Sequence, residues 1–214
     1  MNVLAVDTSG PVAGVALNAD GLEFVRIART VRGTEGLLVP WAIELVHEAG
    51  LTLSDLDGIA VVHGPGAFTG LRVGLATALG LATSLDLPLW WTDSLLPRAR
   101  RTGQEPVLAM LDARKGRVYA TWFDGEATVG PADVAPQVAL SWATPPFVAT
   151  GEGAIVYADL VQQAGGTVLP DADDPGVLAL ASLAAAAFAR GEGARDAAIA
   201  PLYLRDADAK LPKR

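Results

Sequence analysis

Two short stretches of this 214-residue chain hold residue types that could work on a phosphate-bearing ligand. The first is Gly64-Pro65-Gly66-Ala67-Phe68-Thr69-Gly70-Leu71-Arg72, set between the apolar runs 59–63 and 71–85. Its glycines let the backbone turn sharply where a side chain would clash. A helix that starts there presents free N–H groups, which suit either an anion or a close-packed neighbour. It is not a Walker A loop, which ends Gly-Lys-Ser/Thr; here Thr69-Gly70 is followed by Leu71-Arg72. The second stretch is Asp7-Thr8-Ser9-Gly10, directly after the apolar run 3–6. A carboxylate and two hydroxyls at a strand end can cradle phosphate and reach a metal ion through water, or they can do no more than cap a turn. Asp7, Thr8 and Ser9 are therefore the candidate nucleotide or phosphate contacts.

Other chemistries have fewer residues to draw on. The chain has no cysteine, which excludes a disulfide scaffold, a thiolate nucleophile and a thiolate metal site. Its two histidines are His47 and His63; His47-Glu48 lacks the second histidine of a zinc-protease helix, and no Ser–His pairing is evident from spacing. No catalytic residue, metal ligand or cofactor is assigned. The formal net charge of −8 opposes stand-alone binding to a phosphate backbone. Within that acidic background lies a basic group, Arg98, Arg100, Arg101, Arg114, Lys115 and Arg117. It could contact phosphates of RNA or nucleotide; the default reading is solvated loops. No apolar run reaches transmembrane length, and the N-terminus has no basic leader before Asp7. A cytoplasmic protein is expected.

The elements that must position these residues follow from apolar runs and turn signals. Runs at 3–7, 12–17 and 22–29, separated by Thr8-Ser9-Gly10-Pro11 and Asn18-Ala19-Asp20-Gly21, predict a three-stranded meander. A helix from about Thr34 follows, with Pro40 bending it or tightening its first turn. Next come a strand at 59–63, the helix 71–85 and a strand at 87–91, for an order β-β-β-α-β-α-β. Val107-Leu108-Ala109-Met110-Leu111-Asp112 then echoes Val3-Leu4-Ala5-Val6-Asp7, which suggests a duplicated unit. The later half is broken by prolines. It offers a strand at 147–150, a helix over 154–164 and a helix over 177–190 with Asp174 as N-cap and Pro175 in the first position. Expected boundaries are a first lobe over 1–103, a smaller second lobe over 104–200 and a tail over 201–214.

A repeated meander ending in Asp-Thr-Ser-Gly suggests the actin-like ATPase and sugar-kinase architecture. The second phosphate loop would then fall at Asp112-Ala113-Arg114-Lys115-Gly116, where Arg114 and Lys115 replace the expected glycine pair, and Gly151-Glu152-Gly153-Ala154 would stand near an adenosine. Such a cleft is partly dismantled. The helix from Gly70 to Leu85 carries one charge, Arg72. A helix apolar all round is buried on more than one face. Its second face is covered either by the Thr34 helix or by another subunit. The candidate partner interface is Leu38, Trp41 and Leu45 from the first helix with Leu71, Gly74, Leu75, Ala78 and Leu79 from the second.

Val3-Leu4-Ala5-Val6-Asp7-Thr8-Ser9, Gly64 through Gly74, Asp112-Ala113-Arg114-Lys115-Gly116-Arg117-Val118-Tyr119 and Pro201-Leu202-Tyr203-Leu204-Arg205 follow one another along the chain. In order and spacing these segments resemble the TsaB (YeaZ) family of tRNA threonylcarbamoyladenosine biosynthesis proteins. TsaD, the catalytic paralogue, carries a His-x-x-x-His metal pair that this chain lacks. The resemblance implies an α/β fold of two ribonuclease-H-like lobes, the second reduced, of the actin-like ATPase superfamily. It implies a noncatalytic subunit without cofactor that supports a TsaD-type transferase in modifying tRNA adenosine. Further implied partners are a TsaE-type ATPase and tRNA reached through the complex, with self-pairing to a homodimer through the surface that meets TsaD. Where many relatives have a histidine before the first long helix, this chain has Gly33-Thr34-Glu35. The alternative is a nucleotide-dependent kinase or ATPase using Asp7; a peptidase finds no support in the residues.

Overall fold

The computed structural model describes residues 1–29, 33–125, 127–195 and 198–205. The first lobe runs β1 (Asn2–Asp7), β2 (Val12–Ala19), β3 (Leu22–Arg29), α1 (Leu38–Glu48), β4 (Gly58–Val62), α2 (Phe68–Ser84), β5 (Leu89–Thr92) and α3 (Leu95–Arg100). The second runs β6 (Val107–Arg114), β7 (Arg117–Asp124), β8 (Ala127–Val134), α4 (Pro136–Leu140), β9 (Phe147–Thr150), α5 (Glu152–Val156), α6 (Ala158–Gln163), β10 (Gly166–Val168) and α7 (Val177–Ala189). The sheets are ordered β3-β2-β1-β4-β5 and β10-β9-β6-β7-β8, the same order read in opposite directions. In each, the first strand pairs antiparallel with the second and parallel with the fourth (β1 with β2 and β4, β6 with β7 and β9). The duplication suggested by Val107–Asp112 is thus a whole topology.

Strand alternation sorts the core. Leu4 and Val6 face one side of the first sheet, against α1 and α2; Val3 and Ala5 face the other, against α7. In the second lobe Leu108, Met110 and Trp122 pack beneath α4, α5 and α6, with Trp122 edge-on to Phe147 at 5.7 Å. The opposite face receives Leu95 and Ala99 of α3 against Val107, Ala109 and Leu111. The two units therefore exchange their last helices: α3 covers the second sheet and α7 covers the first. This corrects the expected lobe boundary, since residues 177–189 belong to the first lobe's core although they follow the second lobe in the chain.

Other expectations shift in detail. Helix α2 begins at Phe68, three residues before the expected Leu71, with extended Ala67 as its N-cap. Pro40 lies in the first turn of α1, where its missing N–H costs nothing. The helix expected over 154–164 is broken at Tyr157 into α5 and α6. The N-cap of α7 is Gly176 in the left-handed conformation, and Asp174 instead accepts a hydrogen bond from the Gly176 N–H at 2.7 Å. Strand β8 persists through Pro131, and β10 carried no apolar run long enough to announce it.

The expected interface residues need a larger correction. Leu38, Leu45, Leu71, Leu75 and Ala78 are all buried in this chain's own core, and Gly74 is buried with them. Trp41 and Leu79 are partly buried against the same core. Helix α2 reads as apolar all round because its outward positions are small, including Ala76, Gly80 and Thr83, which hydropathy scores as nonpolar or neutral. Phe68 and Arg72 at its start are exposed, whereas Leu71, Leu75 and Leu81 face inward. No helix among the described residues is long and apolar enough to cross a membrane.

Candidate functional site

A cleft of about 750 Å³ opens between the two lobes, lined by the turn after β1, the end of β6, the start of α2 and Glu152. Asp7 ends β1, the central strand, and is fully buried. Its Oδ1 accepts hydrogen bonds from the Ser9 N–H at 2.7 Å and the Ser9 hydroxyl at 2.6 Å. Its Oδ2 accepts one from Arg98 at 2.8 Å. Helix α3 places Arg98 there, and the same guanidinium nitrogen donates to the Ser94 carbonyl at 2.6 Å. The carboxylate expected to face phosphate or metal is therefore the partner of a built-in cation.

The glycine-rich loop answers to a close-packed neighbour. The Ala67 N–H donates to the Ser9 carbonyl at 2.7 Å, and the Thr8 hydroxyl donates to the Gly70 carbonyl at 2.7 Å. A Cβ at Gly66 would collide with the Ser9 carbonyl, one at Gly70 with the Thr8 carbonyl and one at Gly74 with the Thr8 hydroxyl. Three glycines at i, i+4 and i+8 thus form a flat track on which the Thr8–Ser9 turn lies. The second lobe repeats the device: Gly151 and Gly153 both approach the Met110 carbonyl too closely for a side chain.

Between those two glycines stands Glu152. Burial pushes its carboxyl above the ordinary glutamate value, against the pull of Arg98. Its Oε2 has no hydrogen-bond partner, and neither has Arg98 Nε. The buried Asp7–Arg98 pair and the partly buried Glu152 beside it form the base of the cleft, drawn from three distant segments. Among the described residues no group of three or more metal-binding side chains occurs.

The basic group is dispersed. Arg98 is 1% exposed, which overturns the solvated-loop reading for that residue. Arg100 pairs with Glu105 at 2.9 Å, Arg101 with Asp171 at 3.0 Å and Arg117 with Asp133 at 2.6 Å. Arg114 reaches Asp112 at 3.1 Å while its side chain stays 82% exposed. Arg114 and exposed Lys115 sit at the turn between β6 and β7, both left-handed at φ 62° and 55°.

Sequence reasoning missed the role of residues 201–205. The Leu202 N–H donates to the His63 carbonyl at 2.7 Å. Tyr203 stacks on Phe68 at 4.9 Å and accepts a hydrogen bond from Arg72 at 3.0 Å. Arg205 donates to both carboxylate oxygens of Asp133, at 2.8 and 3.0 Å, and to the Ala113 carbonyl at 3.0 Å. The segment is a strap from the first lobe to the second. The aromatic, apolar and basic residues of Pro201-Leu202-Tyr203-Leu204-Arg205 were the available signal.

Duplicated five-stranded sheets, exchanged helices and an interlobe cleft define an actin-like fold of two ribonuclease-H-like lobes. The family described as TsaD: tRNA N6-adenosine threonylcarbamoyltransferase matches residues 31–213. The tRNA threonylcarbamoyladenosine biosynthesis protein TsaB of Escherichia coli is 30% identical, with 99% of each chain covered. An uncharacterised protein of Mycobacterium tuberculosis is 35% identical over 97% of this chain and 93% of its own. YeaZ from Pseudomonas aeruginosa superposes with a TM-score of 0.82 at 34% identity, covering 95% of this chain and 99% of that one. The ethanolamine utilization protein EutJ of Carboxydothermus hydrogenoformans, at 12% identity and a TM-score of 0.51, shares the fold alone. The chain belongs to the TsaB family.

Proposed function

We propose that this protein is a noncatalytic subunit in tRNA threonylcarbamoyladenosine formation, binding and supporting a TsaD-type transferase. Family membership supports the pathway. The single observation that carries the noncatalytic reading is the Arg98–Asp7 ion pair, which fills the position where an actin-like enzyme needs a carboxylate open to its ligand. Thr8 and Ser9 are likewise engaged with Gly70 and Asp7. A phosphate contact at Asp7, Thr8 or Ser9 would require this network to open.

The partner surface we assign is the outer face of α1 and α2. Val39 and Ile43 of α1 are 40% and 37% exposed. Beside them Ala76, Gly80 and Thr83 present little bulk, so another helix can approach closely. We assign self-pairing in isolation to the same face. A TsaE-type ATPase and tRNA would join through the assembled complex.

Co-elution with a TsaD-type subunit, and modification of tRNA by the mixture, test the proposal. Ile43→Glu and Ala76→Glu, both on the outer face, should leave the chain folded and abolish the complex. A charge at buried Leu75 should instead unfold it. Outer-face variants that assemble normally would move the interface elsewhere. Tight Mg-ATP binding with turnover, both lost in Asp7→Ala, would replace the whole reading with the kinase or ATPase alternative.

A further inference from the structure

A smaller groove of about 370 Å³ opens beside the interlobe cleft and shares Gly66, Ala113, Arg114 and Tyr119 with it. It lies between the β6–β7 turn, the first turn of α2 and the 201–205 strap. Its lining includes Arg114, Lys115, Arg205, Phe68, Tyr119 and Tyr203, and no carboxylate. In a chain with 24 acidic and 16 basic residues, that local composition runs against the background. Arg72, with its guanidinium 3.9 Å from the Phe68 ring centre, adds a further cation at the edge.

We infer that this groove binds a single-stranded segment of RNA directly. The inference deepens the proposed function and rests on it, since that reading supplies tRNA as the macromolecule at hand. Single strands are held by aromatic faces that stack on bases and cations that follow the phosphates. Tyr203, 39% exposed, and Tyr119 supply the first, and Arg114 and Lys115 supply the second. The Arg114 side chain is 82% exposed while the Asp112 carboxylate it meets is 10% exposed, so the guanidinium has further N–H groups open to a phosphate without giving up that pair. Arg205 is committed to Asp133 and acts by fixing the strap that carries Tyr203.

The turn itself supports a ligand role. Arg114 and Lys115 are both left-handed, a conformation that Gly and Asn adopt most easily in a tight hairpin. Two long cationic side chains hold positions that the backbone would give to smaller residues. Strain of this kind collects where side-chain chemistry is needed. The aromatic floor makes an acidic peptide a poorer fit.

The test uses the double variant Arg114→Gly with Lys115→Asn, which removes both charges and relaxes the turn, so misfolding cannot explain a loss. The probe is a short RNA hairpin with a single-stranded loop, titrated against the chain alone and in complex with a TsaD-type subunit over a series of salt concentrations. ATP and inorganic phosphate are parallel arms. Wild type should bind the hairpin, and the variant should bind at least about ten-fold more weakly, with a salt dependence shallower by about two phosphate contacts. Its melting temperature should be equal or higher. Tyr203→Ala should weaken binding, and Tyr203→Phe should restore it. The inference is overturned by unchanged affinity and salt slope in the double variant, by no RNA binding to wild type at low salt, or by ATP bound through these residues in place of RNA. Failure of the parent reading looks different: wild type would then give no tRNA modification with the TsaD-type subunit, whatever its affinity for RNA.

Discussion

Arg98 Nη1 lies 2.8 Å from Asp7 Oδ2, with the two side chains 1% and 0% exposed. The pair joins the end of the central strand to helix α3, which itself packs on the second sheet. A single contact thus ties both lobes at the floor of the cleft. Removing one partner leaves the other charge buried without compensation, which costs about 3–5 kcal/mol. Arg98→Met and Asp7→Asn should each lower stability by about that amount in urea unfolding, and the double variant should lose less than their sum. Losses under about 1 kcal/mol would mean that water reaches the pair.

The glycine track makes a graded prediction. In Gly70→Ala the new methyl meets the Thr8 backbone carbonyl, which cannot move alone; a loss at the upper end of about 1–3 kcal/mol is expected. In Gly74→Ala it meets the Thr8 hydroxyl, so Thr8→Ala should recover part of the loss there and none at Gly70. Gly80, on the outer face of α2 with nothing within 4 Å, should gain about 0.5–1 kcal/mol on change to Ala. Thermal melts of the four single variants and the two doubles would decide it. Equal effects at Gly70 and Gly80 would show that the track does not govern packing here.

How far the sequence carries follows from which signals are local. The first lobe was legible because β1, β2 and β4 are apolar runs divided by turn residues, and because α1 and α2 fit helical spacing. The repeat is legible from Val107 through the turn 113–116 and the apolar run 118–123 but not beyond, since β8 contains Pro131 and β10 has three residues. The exchange of α3 and α7 was illegible: helix periodicity says which face is apolar, not which sheet receives it. The cleft floor failed similarly. Asp7 stood out by its neighbours, but its partner lies 91 residues away in a run of arginines that looked like a surface loop. The apolar character of α2 is legible, but which of its residues turn outward is not: Leu71, Leu75 and Ala78 face this chain's own core, and Ala76, Gly80 and Thr83 face out.

Two carboxyls give opposite pH signatures. Partial burial alone would raise Asp133, but hydrogen bonds from Arg205 and Arg117 outweigh it and hold its carboxyl below the ordinary value. A carboxyl lowered in the fold stabilises when ionised, so the clamp on the strap is present above the ordinary aspartate value and is lost as pH falls through the lower folded value. Glu152 is raised by burial, which Arg98 offsets only in part. Its contribution is present below the ordinary glutamate value and is lost as pH rises through the higher folded value. Asp133→Asn should therefore weaken the fold at neutral pH and match wild type in acid. Glu152→Gln should match wild type in acid and exceed it at neutral pH, because an amide removes the cost of burying a carboxylate whose Oε2 finds no donor. Urea unfolding of the three proteins from pH 3 upward would read both limbs. A Glu152→Gln variant less stable than wild type at neutral pH would show that Arg98 needs both carboxylates, and that the floor of the cleft is a three-residue ion network with Asp7 and Glu152 sharing one cation.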